Sequence, residues 1–149
     1  MKGENANSAY YMLAGTIIMV FDKFAEAMNS RPLILFSQLN QIPEDSGVYT
    51  GWLEGDQHCF YVGKATNLRS RIRSHYSGQR GSDQFCLYVY DNFVHDQRLR
   101  GLTTQKVNKI TSDWIRGNVK FKIITLPENE THEVEVLFRK HWKPTLNPL

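Results

Sequence analysis

Apolar positions along this chain switch between two periods. From Ser8 to Asn29 they recur at helical spacing, with Met12, Ile17, Val20, Phe21 and Phe24 on the pattern and Ser8 as the cap. Pro32 ends that run. Leu33-Ile34-Leu35-Phe36 reads as a short strand or the lead-in to a turn, and Phe36-Ser37-Gln38-Leu39 as the start of a short helix that stops before Pro43. Turn-forming residues fill Pro43 to Gly47. The pattern from Gly47 then predicts a hairpin, with Gly47–Trp52 and His58–Gly63 as strands and Glu54-Gly55-Asp56 as the turn. Residues 67–77 read as a helix started by Thr66 or Asn67 and stopped by Gly78.

Beyond that helix, Gln84–Tyr90 is rich in aromatic and β-branched residues and is expected to be a strand. Thr103–Arg116 is expected to be a helix with Val107, Ile110, Trp114 and Ile115 on one face, ended by Gly117. Val119–Leu126 is a further strand, the residues from Pro127 a loop, and Thr131–Trp142 a final helix closed by Pro144. The order is helix, two strands, helix, strand, helix, strand, helix. It argues for an α+β fold with a small, mostly antiparallel sheet of three to four strands flanked by helices.

Length and composition narrow the class. A chain of 149 residues, 41% apolar and 22% charged, is a globular domain with one core. The net charge of +3 is mild, but its distribution is not. Between Gln57 and Ser82 stand Lys64, Arg69, Arg71, Arg73 and Arg80, with His58 and His75 and no acid. That stripe suits a phosphate binder, although a run of like charge is more often a solvated helix face. Cys59 and Cys86 sit in apolar runs with no zinc-type spacing, which points to buried free thiols and a reducing, cytoplasmic setting. The apolar stretch from Ala9 to Phe21 is too short to span a bilayer, and Asp22, Lys23 and Glu26 follow it, so neither a membrane span nor a cleaved leader is expected.

Three groups of residues carry candidate chemistry. Tyr49 and Tyr61 fall on the two strands of the hairpin, where both phenols can face the next helix. A phenol with an ordinary pKa of about 10 becomes a base only beside cations, for which Lys64 and Arg71 are placed. Arg71 and His75 are four residues apart and share a helix face, the first suited to gripping a phosphate and the second to moving a proton. On the last helix Glu133 and Glu135 compete as the carboxylate that would hold a hard cation. Strand tyrosines, a helix histidine and helix glutamates are each more often packing or surface residues when taken alone.

Taken together, these pieces resemble the GIY-YIG nuclease family. Gly47-Val48-Tyr49 and Tyr61-Val62-Gly63 carry the paired motif with valine for isoleucine in both halves. Arg71, ten residues after Tyr61, resembles the family's catalytic arginine. His75 resembles the histidine of phage intron homing endonucleases, where excision-repair relatives tend to have tyrosine. Lys64 is similar to a lysine of the repair nucleases. Glu135, Pro144 nine residues later and Asn147 three beyond resemble the closing motif, which selects Glu135 over Glu133.

The resemblance implies catalytic roles for Tyr49, Tyr61, Arg71, His75, Glu135 and Asn147, with Tyr61 the first choice of base and Glu135 the ligand of one Mg2+ or Mn2+ ion. Gly63, Lys64, Arg69, Arg73 and Arg80 are then the candidate substrate contacts. It also implies a nuclease domain over residues 41–149 with an insertion around 78–118, preceded by a helical extension over 1–40 that either covers the sheet or forms a homodimer contact. Within the insertion, Arg98, Arg100, Lys106, Lys109 and Arg116 could add DNA contacts, while the helix bearing Trp114 looks like packing. The expected function is metal-dependent hydrolysis of duplex DNA, with restriction or genome defence as the role. The alternatives are a nucleic-acid-binding module without catalysis and a structure-specific repair or RNA-processing nuclease.

Overall fold

The computed structural model describes residues 23–149. Of the expected N-terminal helix, residues 23–30 are helical (α1), and the part before them lies outside the described residues. A 3-10 turn over Phe36–Gln41 follows, close to where the sequence places a short helix.

Three antiparallel strands form the sheet: β1 (Gly47–Leu53), β2 (Cys59–Ala65) and β3 (Val119–Thr125), in the spatial order β2-β1-β3. Tyr49 pairs with Gly63 on one side and Ile123 on the other, and Gly51 pairs with Tyr61 and Phe121. Phe60 is an extra residue between the Gly51–Tyr61 and Trp52–Cys59 pairs, so β2 is bulged there. Of the 33–36 segment, Ile34 alone joins the sheet, bridging Phe121 at the β3 edge.

Alternation along β1 sorts the side chains onto two faces. Val48, Trp52, Cys59, Val62 and Ile124 form one core with Met28 of α1 and with Val134 and Phe138 of α5 (Glu128–Trp142). On the other face Tyr49, Ala65 and Phe121 pack beneath α2 (Leu68–Tyr76), α3 (Gln84–Val89) and α4 (Thr104–Asn118). Among the described residues no helix is long and apolar enough to cross a membrane.

Four expectations are corrected. Gln84–Tyr90 is not a strand: it is α3, with a single π-type turn over Tyr90–Val94 after it. Asp83 caps that helix by accepting the Cys86 N–H, and Phe85, Cys86 and Val89 bury one helical face, which overrides their β propensity. The free edge of β2, where another strand could have docked, is taken by the C-terminal tail, whose Leu146 N–H donates to the Phe60 carbonyl. Gly117 does not stop α4, which runs on to Asn118, and Ile110 faces outward on it. The last helix starts directly after Pro127, a turn earlier than the apolar pattern suggests, with Pro127 fixing the backbone at its cap and Glu128 and Glu130 placing negative charge in its first turn.

Candidate active site

Tyr49 occupies the centre of the middle strand, and Tyr61 lies one diagonal step away on β2. Their rings stack, with centroids 6.1 Å apart and planes inclined by 28°. Gly63 makes this possible, since a Cβ there would overlap the Tyr49 hydroxyl. The residue is buried under that ring, so the structure gives Gly63 a steric task and not the substrate contact expected of it.

Helix α2 is started by Asn67, whose side chain accepts the Ser70 N–H, and is ended at Gly78 in a left-handed conformation that a side chain would strain. Leu68, Ile72, His75 and Tyr76 form its buried stripe. Arg71 lies one turn before His75 but is exposed, on the rim of a polar cleft of about 640 Å³ that Tyr61, Ser74, Arg80, Ser82 and Gln84 help to line. A smaller depression on the other side of Arg71 is lined by Lys64 and His132.

His75 is almost wholly buried, at 2% exposure, with the Phe85 ring 4.5 Å away. Its Nε2 lies 2.6 Å from the Tyr49 hydroxyl. Its Nδ1 lies 2.8 Å from Asp83 Oδ2 and 3.0 Å from Oδ1. A carboxylate only accepts, so Nδ1 carries the hydrogen, and Nε2 of the neutral ring accepts the Tyr49 O–H. Asp83 is absent from the residues singled out by sequence. Its eight-residue spacing from His75 matches no helical or strand period, and only its capping of α3 marks it locally.

Burial sets the protonation states. It pushes the Tyr49 phenol well above its ordinary value, helped by the neighbouring Tyr61 and Asp83 against Arg71. Burial also pushes Tyr61 up to about 12; the Tyr49 hydroxyl and Arg71 pull it back, while Asp83 and Glu135 raise it further. Lys64, expected to activate these phenols, instead lies 3.3 Å from His132 Nδ1 and acts on Glu135. Burial lowers His75 by more than the Asp83 carboxylate raises it, so the ring is neutral near neutral pH. At Asp83 burial favours the acid, but hydrogen bonds from His75 and from the Cys86 N–H outweigh it and keep the carboxyl ionised.

Glu135 is half-buried beside the β2 edge, whereas Glu133 is exposed. Burial raises the Glu135 pKa; Arg139, 3.7 Å away, together with Lys64 and His132, works against that rise. Asn147, expected in the catalytic set, spends its side chain on β2: Oδ1 accepts the Val62 N–H at 3.1 Å and Nδ2 donates to the Val62 carbonyl. Arg139 holds the tail in place through the Asn147 and Pro148 carbonyls. The asparagine thus fixes the strand between Tyr61 and Gly63.

The basic residues divide. Arg69 donates to the Ile42 and Asn40 carbonyls and to Glu44, and so holds the 3-10 turn. Arg80 lines the cleft while anchored to Asn108 and stacked over Tyr90. Arg73 is exposed outside the cleft. In the insertion, Arg116 lies over Phe36 and Lys109 pairs with Asp113, while Trp114 stacks on Phe93 as packing.

No protein-family model matches this chain. It is 37% identical over 59 residues to the UvrABC system protein C of Salinibacter ruber, a match covering 40% of this chain and 9% of that protein. It is also 37% identical over 60 residues to the protein of the same name from an Anaeromyxobacter species, covering 39% and 8%. The chain thus matches less than a tenth of the length of these curated relatives. Among solved structures it is similar to the N-terminal GIY-YIG endonuclease domain of UvrC from Thermotoga maritima bound to magnesium, with 23% identity, a TM-score of 0.41, and 74% of this chain and 92% of that one covered. A point-mutant form of that domain, bound to its catalytic divalent cation, gives 22%, 0.42, 76% and 93%.

Proposed function

We propose that this chain, a member of the GIY-YIG nuclease superfamily, is a divalent-metal-dependent endonuclease that hydrolyses phosphodiester bonds of DNA. One observation carries the proposal: the phenol of Tyr61 on β2 and the guanidinium groups of Arg71 on α2 and of Arg80 line one polar cleft. Hydrolysis of a phosphodiester needs a group to take a proton from water and positive charge on the phosphoryl oxygens. Tyr61 borders the cleft, where it can meet such a water, while Tyr49 behind it is buried. Arg71, exposed on the rim, offers a planar fork to the phosphate, and Arg80 stands fixed on the far wall for the neighbouring backbone.

The donor set fits a hard cation. Among the described residues no three His, Cys, Asp or Glu side chains gather, so an ion would be held by the one carboxylate of Glu135 with water completing its shell, as suits magnesium or manganese. Bound there, it would neutralise charge on the phosphoryl oxygens and draw the Tyr61 pKa down from its resting value. The UvrC matches favour a repair-type nuclease over the restriction role expected from sequence.

The test is supercoiled plasmid incubated with wild type and Glu135→Ala, each with magnesium and with a chelator. Nicking or linearisation by wild type, lost on chelation and in the variant, is the expected result. Equal cutting by the variant would exclude Glu135 as the ligand. DNA shifted in a gel by both proteins but cut by neither would favour a binding module.

A further inference from the structure

We propose that Asp83 is a positioning residue for the reaction: it fixes the tautomer of His75 so that Nε2 is free to receive the Tyr49 proton. The proposal rests on the nuclease reading above.

The geometry divides the carboxylate between two tasks. Oδ1 accepts the Cys86 N–H at 3.0 Å and caps α3, and Oδ2, at 2.8 Å, is the nearer oxygen to His75 Nδ1. Both side chains are almost wholly buried in the cleft wall, at 2% exposure for His75 and 6% for Asp83, so the Asp83 contact sets which ring nitrogen carries the hydrogen. With Nδ1–H held by Asp83, the lone pair of Nε2 faces the Tyr49 O–H at 2.6 Å.

The protons balance in this transfer. As Tyr49 ionises, its proton passes to Nε2. Tyr49 is then a phenolate stacked on Tyr61, and His75 is an imidazolium against a carboxylate. Without Asp83 this transfer would leave a buried, unpaired cation. The same division of labour operates where an aspartate orients a catalytic histidine in hydrolytic triads.

Asp83→Asn separates this role from simple capping. The amide keeps an oxygen for the Cys86 N–H, so α3 retains its cap. Its NH2 then takes the place of Oδ2 and donates to Nδ1, which forces the hydrogen onto Nε2 and blocks the transfer. The expected result is a His75 that is Nδ1–H in wild type and Nε2–H in the variant by 15N NMR, a retained cooperative unfolding transition, and cleavage slowed by about 10²- to 10⁴-fold. Cleavage within threefold of wild type, or an unchanged tautomer, would reduce Asp83 to a helix cap. If the variant does not fold, the wild-type spectrum decides: Nδ1–H supports the assignment and Nε2–H overturns it. A wild type that cuts no DNA removes the nuclease reading and this role together, whereas a cutting wild type with an equally active variant removes this role alone.

Discussion

The two faces of one sheet make the instructive contrast in this molecule. Val48, Trp52 and Val62 look toward α5 and α1, and a hydrogen bond within β1 runs from Trp52 Nε1 to Thr50 Oγ1 at 2.8 Å. One residue along the same strand, Tyr49 begins a buried series of phenol, imidazole and carboxylate. A shift of one residue in register would exchange these two sets. The apolar face therefore fixes the register, and the register delivers the reactive groups to the opposite side. Stability and chemistry are separable here because they occupy different faces.

The largest expected effect tests that separation. Phe138 is fully buried on the apolar face with its ring 4.9 Å from that of Trp142. Phe138→Ala should lower stability by about 3–5 kcal/mol in urea unfolding, through lost burial and the cavity left behind. The cleavage rate per folded molecule should not change. A rate that falls with the folded fraction held constant would mean that the two faces are coupled.

How much of this was legible in sequence follows from the range of the interactions involved. The hairpin and α2 were, because a strand alternates, Asn67 caps and Gly78 stops within a few residues of one another. The placing of Tyr49 and Tyr61 on neighbouring strands followed from the hairpin pattern. Asp83 was not legible, since its contact with His75 depends on how the segment after Gly78 folds back over α2. The same segment misled the reading of 84–90, where aromatic and β-branched residues serve a short helix because the cap and the covered edge of β2 leave no place for a strand. What Gly63 and Arg69 touch within the fold was hidden too: the Tyr49 ring for one, three oxygen acceptors for the other.

A smaller effect appears on the pH axis and belongs to the reactive face alone. Burial holds His75 below its ordinary value of 6.5 in the folded protein. The unfolded chain therefore binds this proton more readily, and stability falls as pH drops from 6.5 toward the folded value, by at most about 1.4 kcal/mol per unit for one proton. Asp83 is held below 3.8, so the stability it contributes is present above 3.8 and lost as pH falls through its folded pKa. Unfolding free energies measured against pH should show the first loss in wild type and in Phe138→Ala, and not in His75→Gln. A slope that persists in His75→Gln would place the titrating group elsewhere.

The smallest effect lies where the two faces meet. Helix α5 covers the apolar face with Val134 and Phe138, yet it carries Glu135 to the β2 edge beside Tyr61. Glu133, two residues earlier, is turned about 200° around the helix and is exposed. Glu133→Ala should change stability by less than about 0.5 kcal/mol and leave cleavage as it is, while Glu135→Ala loses cleavage. Parallel assays on the two variants at one magnesium concentration make the comparison direct. Equal losses would mean that the net charge of α5 draws in the cation. A loss at Glu135 alone would mean that the carboxylate's position at the sheet edge does so, and that one helix both seals the inert face and completes the reactive one.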